Sequence, residues 1–231
     1  MSKNVALILA AGQGKRMGLG INKQFIELKG KPVLYYTLEA FSNNKNIDEI
    51  FLVCAEGEVE YCRENVVNKF NFSKVKDIVK GGLERQDSVY NGLKAINSCD
   101  IVLIHDGARP FLTDAIIDKG IDMAKIHGAC TCGVKSKDTI KIKEDSGFSK
   151  ETLNRENTFL VQTPQCFKYD IILDCHKRLN SNRTLVTDDT MVVEMFNHKV
   201  YLYDGDYSNI KITTPEDMIV GESILNNRKN K

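Results

Sequence analysis

Short apolar runs of strand length alternate along this chain with longer amphipathic stretches, and that rhythm limits the fold more than any other feature. Val5–Ala10, Glu49–Ala55, Val75–Val79, Ile101–His105 and Ala129–Val134 are predicted strands. Val33–Ser42, Glu58–Lys69, Leu83–Ile96 and Thr113–His127 are predicted helices. Such β-α alternation implies an α/β architecture: a Rossmann-like, mostly parallel sheet flanked by helices on both faces. Ligands of these sheets bind beyond the carboxyl ends of the strands, so the Gly12 loop and the loop after Ile104 are expected to converge on one crevice. At 231 residues, with no repeat, linker or low-complexity segment, the chain is read as a single domain over 1–231.

The stretch from Ser136 to Asn157 breaks the rhythm. Lys137-Asp-Thr-Ile-Lys-Ile-Lys143 alternates polar and apolar, a polar Glu144-Asp-Ser-Gly-Phe148 turn follows, and Glu151–Arg155 returns. This predicts a protruding β-hairpin arm at about 136–157 with little apolar surface of its own. A lone hairpin is marginal in water, so a second subunit is its natural support and a homodimer is expected. Beyond the arm, Phe159–Gln162 and Val200–Tyr203 are predicted strands, and Lys168–Asn180 is a predicted helix. Thr187–Phe196 is predicted as a helix with Thr187 as N-cap and Asp188 and Asp189 in its first turn. Thr214-Pro215-Glu-Asp217 opens the last helix, and Asn226–Lys231 is expected to trail off as a disordered tail.

Composition removes several function classes. The net charge is +1, so no basic field points to a nucleic-acid partner. No segment reaches the length of a membrane span, and the first apolar run passes into a basic loop instead of a signal cleavage site. The seven cysteines are scattered without a C-x-x-C pair and are read as free thiols in a reducing cytoplasm. His105, His127, His176 and His198 share no ligand spacing and are read as structural or surface residues.

What chemistry the chain carries begins where the first strand ends, at Ala11-Gly12-Gln-Gly14-Lys15-Arg16-Met-Gly18, with Asn22-Lys23-Gln24-Phe25 following. Glycines let main-chain N–H groups approach an anion closely, and Lys15, Arg16 and Lys23 add full positive charge, which suits a polyphosphate. The run lacks the Gly-Lys-Ser/Thr of a P-loop and breaks the dinucleotide G-x-G-x-x-G spacing by one residue. A second signal is Ile101-Val-Leu-Ile-His105-Asp106-Gly107-Ala108-Arg109-Pro110, an acid at the end of an apolar strand. Facing a phosphate loop, Asp106 would suit Mg²⁺, which takes one or two carboxylates plus phosphate oxygens; pairing with Arg109 within the turn is the alternative. Gly81-Gly82-Leu83-Glu84-Arg85-Gln86-Asp87-Ser88 places paired glycines before a helix, either for close approach to a ligand or as a plain capped turn.

Taken together, A-A-G-Q-G-K-R-M, N-K-Q-F, G-G-x-E-R-x-D-S-V, H-D-G-A-R-P, K-D-T-I-K, Q-T-P-Q, T-D-D and N-I-K-I-T-T-P-E-D run in order from end to end. In this the sequence resembles the 2-C-methyl-D-erythritol 4-phosphate cytidylyltransferase family of nucleotidyltransferases. The resemblance implies CTP and a sugar-alcohol phosphate as substrates, pyrophosphate release, a divalent cation such as Mg²⁺, and a homodimer. It implies a triphosphate loop containing Ala11, Gly12, Gly14 and Lys15, with Arg16 and Lys23 as catalytic cations. Asp106 falls on the metal and nucleotide position, and Gly82 and Ser88 fall on positions that recognise cytidine. Thr139 and Arg155, on the arm, fall on residues lent across the dimer to the acceptor phosphate. Thr187 falls on a further substrate contact. Lys211, which by its neighbours alone reads as exposed on an edge strand, falls on a catalytic phosphate contact.

Two positions depart from the pattern: Leu83 stands where many members carry Asp, and Ser208 where some carry an acid. A ribitol-5-phosphate cytidylyltransferase shares most of these motifs and differs in the acceptor pocket. A CTP-binding module without turnover is the reading from a different class, and the joint presence of Arg16, Lys23 and Asp106 speaks against it.

Overall fold

In the computed structural model, which describes residues 2–12, 22–182 and 184–229, the first apolar run is a central strand, β1 (Asn4–Ala10). Its residues divide by parity: Ala6, Ile8 and Ala10 enter one buried cluster, Val5 and Leu7 the other. Both faces are therefore covered, and the strand reads as an unbroken apolar run. A short ribbon of β2 (Glu27–Leu28) and β3 (Lys31–Pro32) leads into α1 (Val33–Asn43). There follow β4 (Glu49–Cys54), α2 (Val59–Cys62), β5 (Val75–Lys80), α3 (Arg85–Ala95), β6 (Ile101–Asp106), α4 (Asp114–His127) and β7 (Ala129–Lys135). The predicted helix over Glu58–Lys69 begins as α2 and continues as a π-type turn over Arg63–Asn68.

The arm is a two-stranded sheet of β8 (Lys141–Lys143) and β9 (Ser149–Thr152), separate from the main sheet. Then come β10 (Phe159–Lys168), α5 (Tyr169–Asn182), α6 (Asp189–Met195), β11 (Tyr201–Asp204) and α7 (Pro215–Lys229). Among the described residues the main sheet has seven strands in the order β11-β7-β10-β6-β1-β4-β5. β10 runs antiparallel to both its neighbours; the other pairings are parallel. Leu34, Leu38 and Phe41 of α1 and Ile117, Ile121 and Ala124 of α4 fill one face. Val89 and Leu93 of α3, Ile172 and Leu179 of α5, and Val192 and Val193 of α6 fill the other.

Three expectations are corrected. β10 does not stop at Gln162 but continues to Lys168, with a register shift between Val161 and Gln165. The bulge accommodates Pro164, which has no N–H to give a regular ladder. The N-cap of α6 is Asp188, whose carboxylate accepts the Met191 N–H, and not Thr187, whose hydroxyl donates to the Met191 sulfur at 3.7 Å. The last helix runs through Lys229, because the Arg228 guanidinium donates to the Phe111 carbonyl at 2.6 Å and ties that turn to the body.

Candidate active site

The carboxyl ends of β1, β4, β5 and β6 open into a cavity of about 800 Å³, and each contributes to its wall. β1 delivers Ala11 and Gly12, β4 delivers Ala55 and Glu56, β5 delivers Gly81 and Gly82, and β6 delivers Asp106. Lys23 and Lys211 also line it. Lys23 starts a 3₁₀ turn, Lys23–Phe25, whose other members Gln24 and Phe25 are buried. The Gln24 amide donates to the Ala10 carbonyl, which pins this turn to the end of β1.

The two glycines before α3 have no room for a side chain. A Cβ on Gly82 would lie 2.2 Å from that of Asp87, and one on Gly81 would lie 2.7 Å from that of Ala11. The Gly82 N–H donates to the Ser88 hydroxyl at 3.0 Å, and that hydroxyl donates to the Glu84 carbonyl at 3.1 Å. Glu84 and Asp87 form a reciprocal capping box at the helix start. Main chain therefore forms this wall, with Ser88 holding it. Leu83, 99% exposed, stands at the rim.

Asp106 is the electrostatic centre of the floor. Its Oδ2 accepts from the Lys211 ammonium at 2.7 Å, with Arg109 Nε at 3.8 Å; Arg85 Nε stands 3.9 Å from Oδ1. Burial alone would raise the carboxyl pKa, but Lys211, Arg85 and Arg109 outweigh it and hold the group well below the usual carboxylate range. Asp106 thus faces the cavity and has a cation from its own turn beside it. Oδ1, with Arg85 beyond hydrogen-bond reach, keeps lone pairs, so the donor set fits a divalent cation shared with phosphate oxygens. Among the described residues no cluster of three acidic, His or Cys side chains exists that would hold a metal by protein groups alone.

Lys211 is not on an edge strand. It lies in an irregular segment whose Ile212 N–H donates to the Ala108 carbonyl at 2.8 Å, and this seats it beside Asp106. The same segment carries Asn209, which is fully buried. The Arg109 guanidinium donates to the Asn209 carbonyl at 2.8 Å, and the Asn209 amide donates to the Thr163 carbonyl at 2.9 Å. Thr163 in turn accepts the Asp106 N–H on its hydroxyl at 3.1 Å. His105, fully buried, lies behind this turn; burial lowers its pKa to about 4, so the ring is neutral.

Sequence reasoning named Arg109 only as a turn partner of Asp106, Asp189 only in the first turn of a helix and Thr163 only within Gln162-Thr163-Pro164-Gln165, and it gave Arg85 and Asn209 no role of their own. Arg85 spans Asp106 and the buried Asp189 of α6, whose Oδ2 is 2.8 Å from its guanidinium. Asp189 is also 3.1 Å from His176. These partners come from different loops, and the only local signal was that Arg85 and Arg109 each adjoin a glycine-bearing turn.

The remaining expected site residues do not all fall among the described ones. Gly14, Lys15 and Arg16 are outside the described residues. Thr139 and Arg155 are exposed at the base of the arm and do not line the cavity of their own chain. Thr187 is exposed just before α6 and does not line it either.

The chain matches the family described as 2-C-methyl-D-erythritol 4-phosphate cytidylyltransferase over residues 4–227. Proteins of that name from Clostridium kluyveri and Clostridium novyi are 58% and 60% identical to it, each over 99% of both chains. Among solved structures, a 4-diphosphocytidyl-2C-methyl-D-erythritol synthase from Anaerococcus prevotii superposes with a TM-score of 0.87 at 35% identity, covering 97% of this chain and 96% of that one. The 2-C-methyl-D-erythritol 4-phosphate cytidylyltransferase of Francisella tularensis superposes with a TM-score of 0.81 at 30% identity, covering 96% and 99%.

Proposed function

This chain belongs to the 2-C-methyl-D-erythritol 4-phosphate cytidylyltransferase family, and from that premise we infer that it joins CTP to 2-C-methyl-D-erythritol 4-phosphate. The products are 4-diphosphocytidyl-2-C-methyl-D-erythritol and pyrophosphate, in the non-mevalonate route to isoprenoids. The observation that carries this reading is the Asp106–Lys211 pair on the floor of a cavity walled by Ala11, Gly12, Gly81 and Gly82 and flanked by Lys23.

The attacking group is a phosphate monoester with a second pKa near 6. It is mostly dianionic at neutral pH and needs no general base. The obstacle is the approach of one anion to another, so positioning and fixed charge are what the protein must supply. Lys23 and Arg16 stabilise the crowded α-phosphate in this reading, and Lys211, held by Asp106, adds a further cation from the cavity floor. Main-chain groups at Ala11, Gly12, Gly14, Lys15 and Gly82, with the Ser88 hydroxyl, take the nucleotide. Asp106 would hold a divalent cation, Mg²⁺ in this reading, which would supply neutralising charge to the triphosphate when bound.

The acceptor phosphate falls to Thr187 and to Arg155 and Thr139 of a second subunit, because the arm carries the latter two away from their own cavity. Arg155, with a planar fork of donors, suits in-line holding of a phosphate. This makes the enzyme a homodimer whose sites are each shared by two chains. Among the described residues no helix is long and apolar enough to cross a membrane, and all the cysteines are free thiols. That thiol state supports a place in the reducing cytoplasm.

Pyrophosphate release assayed with CTP and each of two acceptors tests the reading. Methylerythritol phosphate is the expected acceptor. Release with ribitol 5-phosphate alone moves the chain to the neighbouring activity, and tight CTP binding with no release from either makes it a binding module.

A further inference from the structure

The hydrogen bonds around His105 fix more than its burial. Nε2 faces the Arg109 carbonyl at 3.2 Å, and a carbonyl only accepts, so Nε2 carries the proton. Nδ1, 3.0 Å from the Thr163 hydroxyl, is then bare and accepts from it. The same hydroxyl oxygen accepts the Asp106 N–H at 3.1 Å. The opposite tautomer would set a lone pair of Nε2 against the lone pairs of a carbonyl around a fully buried ring. The Thr37 hydroxyl, within reach of the Gly107 and Arg109 carbonyls at 3.1 and 3.2 Å, closes the far side, and Phe41 packs edge-on against the imidazole with ring centroids 5.2 Å apart.

We propose that His105 is a positioning residue for this enzyme: as the neutral Nε2–H tautomer it spans the Asp106–Arg109 turn. One nitrogen orients the Thr163 hydroxyl that holds the Asp106 amide, and the other holds the Arg109 carbonyl. Both charged side chains of the turn, Asp106 and Arg109, are thereby aimed from behind by a ring that never reaches the cavity. The Asn209 amide, donating to the Thr163 carbonyl, joins Lys211's segment to the same frame. A hydrophobic ring of similar size would fill the space and lose the frame.

This rests on the reading of Asp106 given above, so the first measurement needs no turnover. Ring ¹⁵N shifts of His105 in the full-length protein should show a protonated Nε2 and a bare Nδ1; a protonated Nδ1 would overturn the proposal while leaving the proposed activity intact. In kinetics, His105→Phe should lower kcat about tenfold, with the KM for CTP within about twofold. His105→Asn keeps an acceptor at the Nδ1 position and should recover much of that loss. Thr163→Val in the His105→Phe background should add little, because the two changes break one chain of contacts. Wild-type kcat in folded His105→Phe, equal losses in the Phe and Asn variants, or fully additive losses with Thr163→Val would each sink it. Should His105→Phe fail to fold, the ring spectrum and the Asn variant decide alone.

Discussion

The turn that ends β6 and the arm formed by β8 and β9 are built in opposite ways, although both carry residues assigned to substrate. At the turn, His105 and Ile104 are fully buried, and charged groups from three segments meet on Asp106. In the arm, every residue of β8 and β9 is exposed, and so is Phe148 at 76%. The first region has its geometry set by the sheet beneath it. The second has no core, so its geometry is set by whatever it lies against, here proposed to be a second subunit. Groups that must not move sit on the sheet; those proposed to arrive with a partner sit on the arm.

Variants that attack the turn should therefore cost most. Asp106→Ala leaves Lys211, Arg85 and Arg109 beside one another without their shared counter-charge and removes the proposed cation ligand. Turnover should fall by about 10³-fold, on the order of 4 kcal/mol, as measured by pyrophosphate release from protein shown to be folded by circular dichroism. Near-normal turnover would detach the turn from the chemistry. The same turn should also register in stability. Burial pushes the His105 pKa down to about 4, against about 6.5 in an unfolded chain. Between those values the unfolded state binds a proton that the native state refuses, so stability is lost as pH falls from about 6.5 to about 4, by about 3 kcal/mol in all. Urea unfolding at pH 7 and pH 4.5 checks this, and His105→Asn, which cannot titrate, should flatten the difference.

Changes on the arm should separate activity from stability. Arg155→Ala should lower kcat/KM for the acceptor by about tenfold, as a lost charged hydrogen bond would, and leave the urea midpoint nearly unmoved. Mixing Arg155→Ala chains with Lys23→Ala chains should restore part of the activity, since one site of a mixed dimer then has both residues. No recovery in verified mixed dimers would put Arg155 to work within its own chain or remove it from the site.

The same contrast explains what the sequence disclosed. β1, β4 and β6 were legible because covering both faces makes each an apolar run, and the arm was legible because its alternation lacks such a run. The strand through Thr163-Pro164 was not, since a bulge with proline mimics a turn until neighbours on both sides enforce it. Asp188 displaced Thr187 as the cap of α6 although both types suit the position; a choice between adjacent capping residues depends on approach angle, which pattern does not carry. The frame around Asp106 was invisible for a different reason. Thr163 meets Asp106 across 57 residues of sequence, and Arg109 meets the Asn209 carbonyl across 100, so no local periodicity links them. Lys23 was nameable from the cations that follow the glycine-rich turn, Lys211 only through motif resemblance, and Gly14, Lys15 and Arg16 lie outside the described residues.

The smallest expected effect sharpens the comparison best. Phe148 lies at the tip of the arm, 76% exposed, where a monomer gains almost nothing from an aromatic ring. A surface substitution of this kind changes folding stability by no more than about 0.5 kcal/mol. Phe148→Ser should accordingly leave unfolding at high dilution unchanged. If the ring is buried against a second copy of the chain, the same substitution exposes apolar area at that contact, and the dimer should dissociate at higher protein concentration in sedimentation equilibrium. A shift in the dissociation midpoint with a constant unfolding midpoint would mean that the arm takes its order from its neighbour. A change in unfolding alone would mean that the tip folds back on its own chain, and the division between a self-supported turn and a borrowed arm would have to be redrawn.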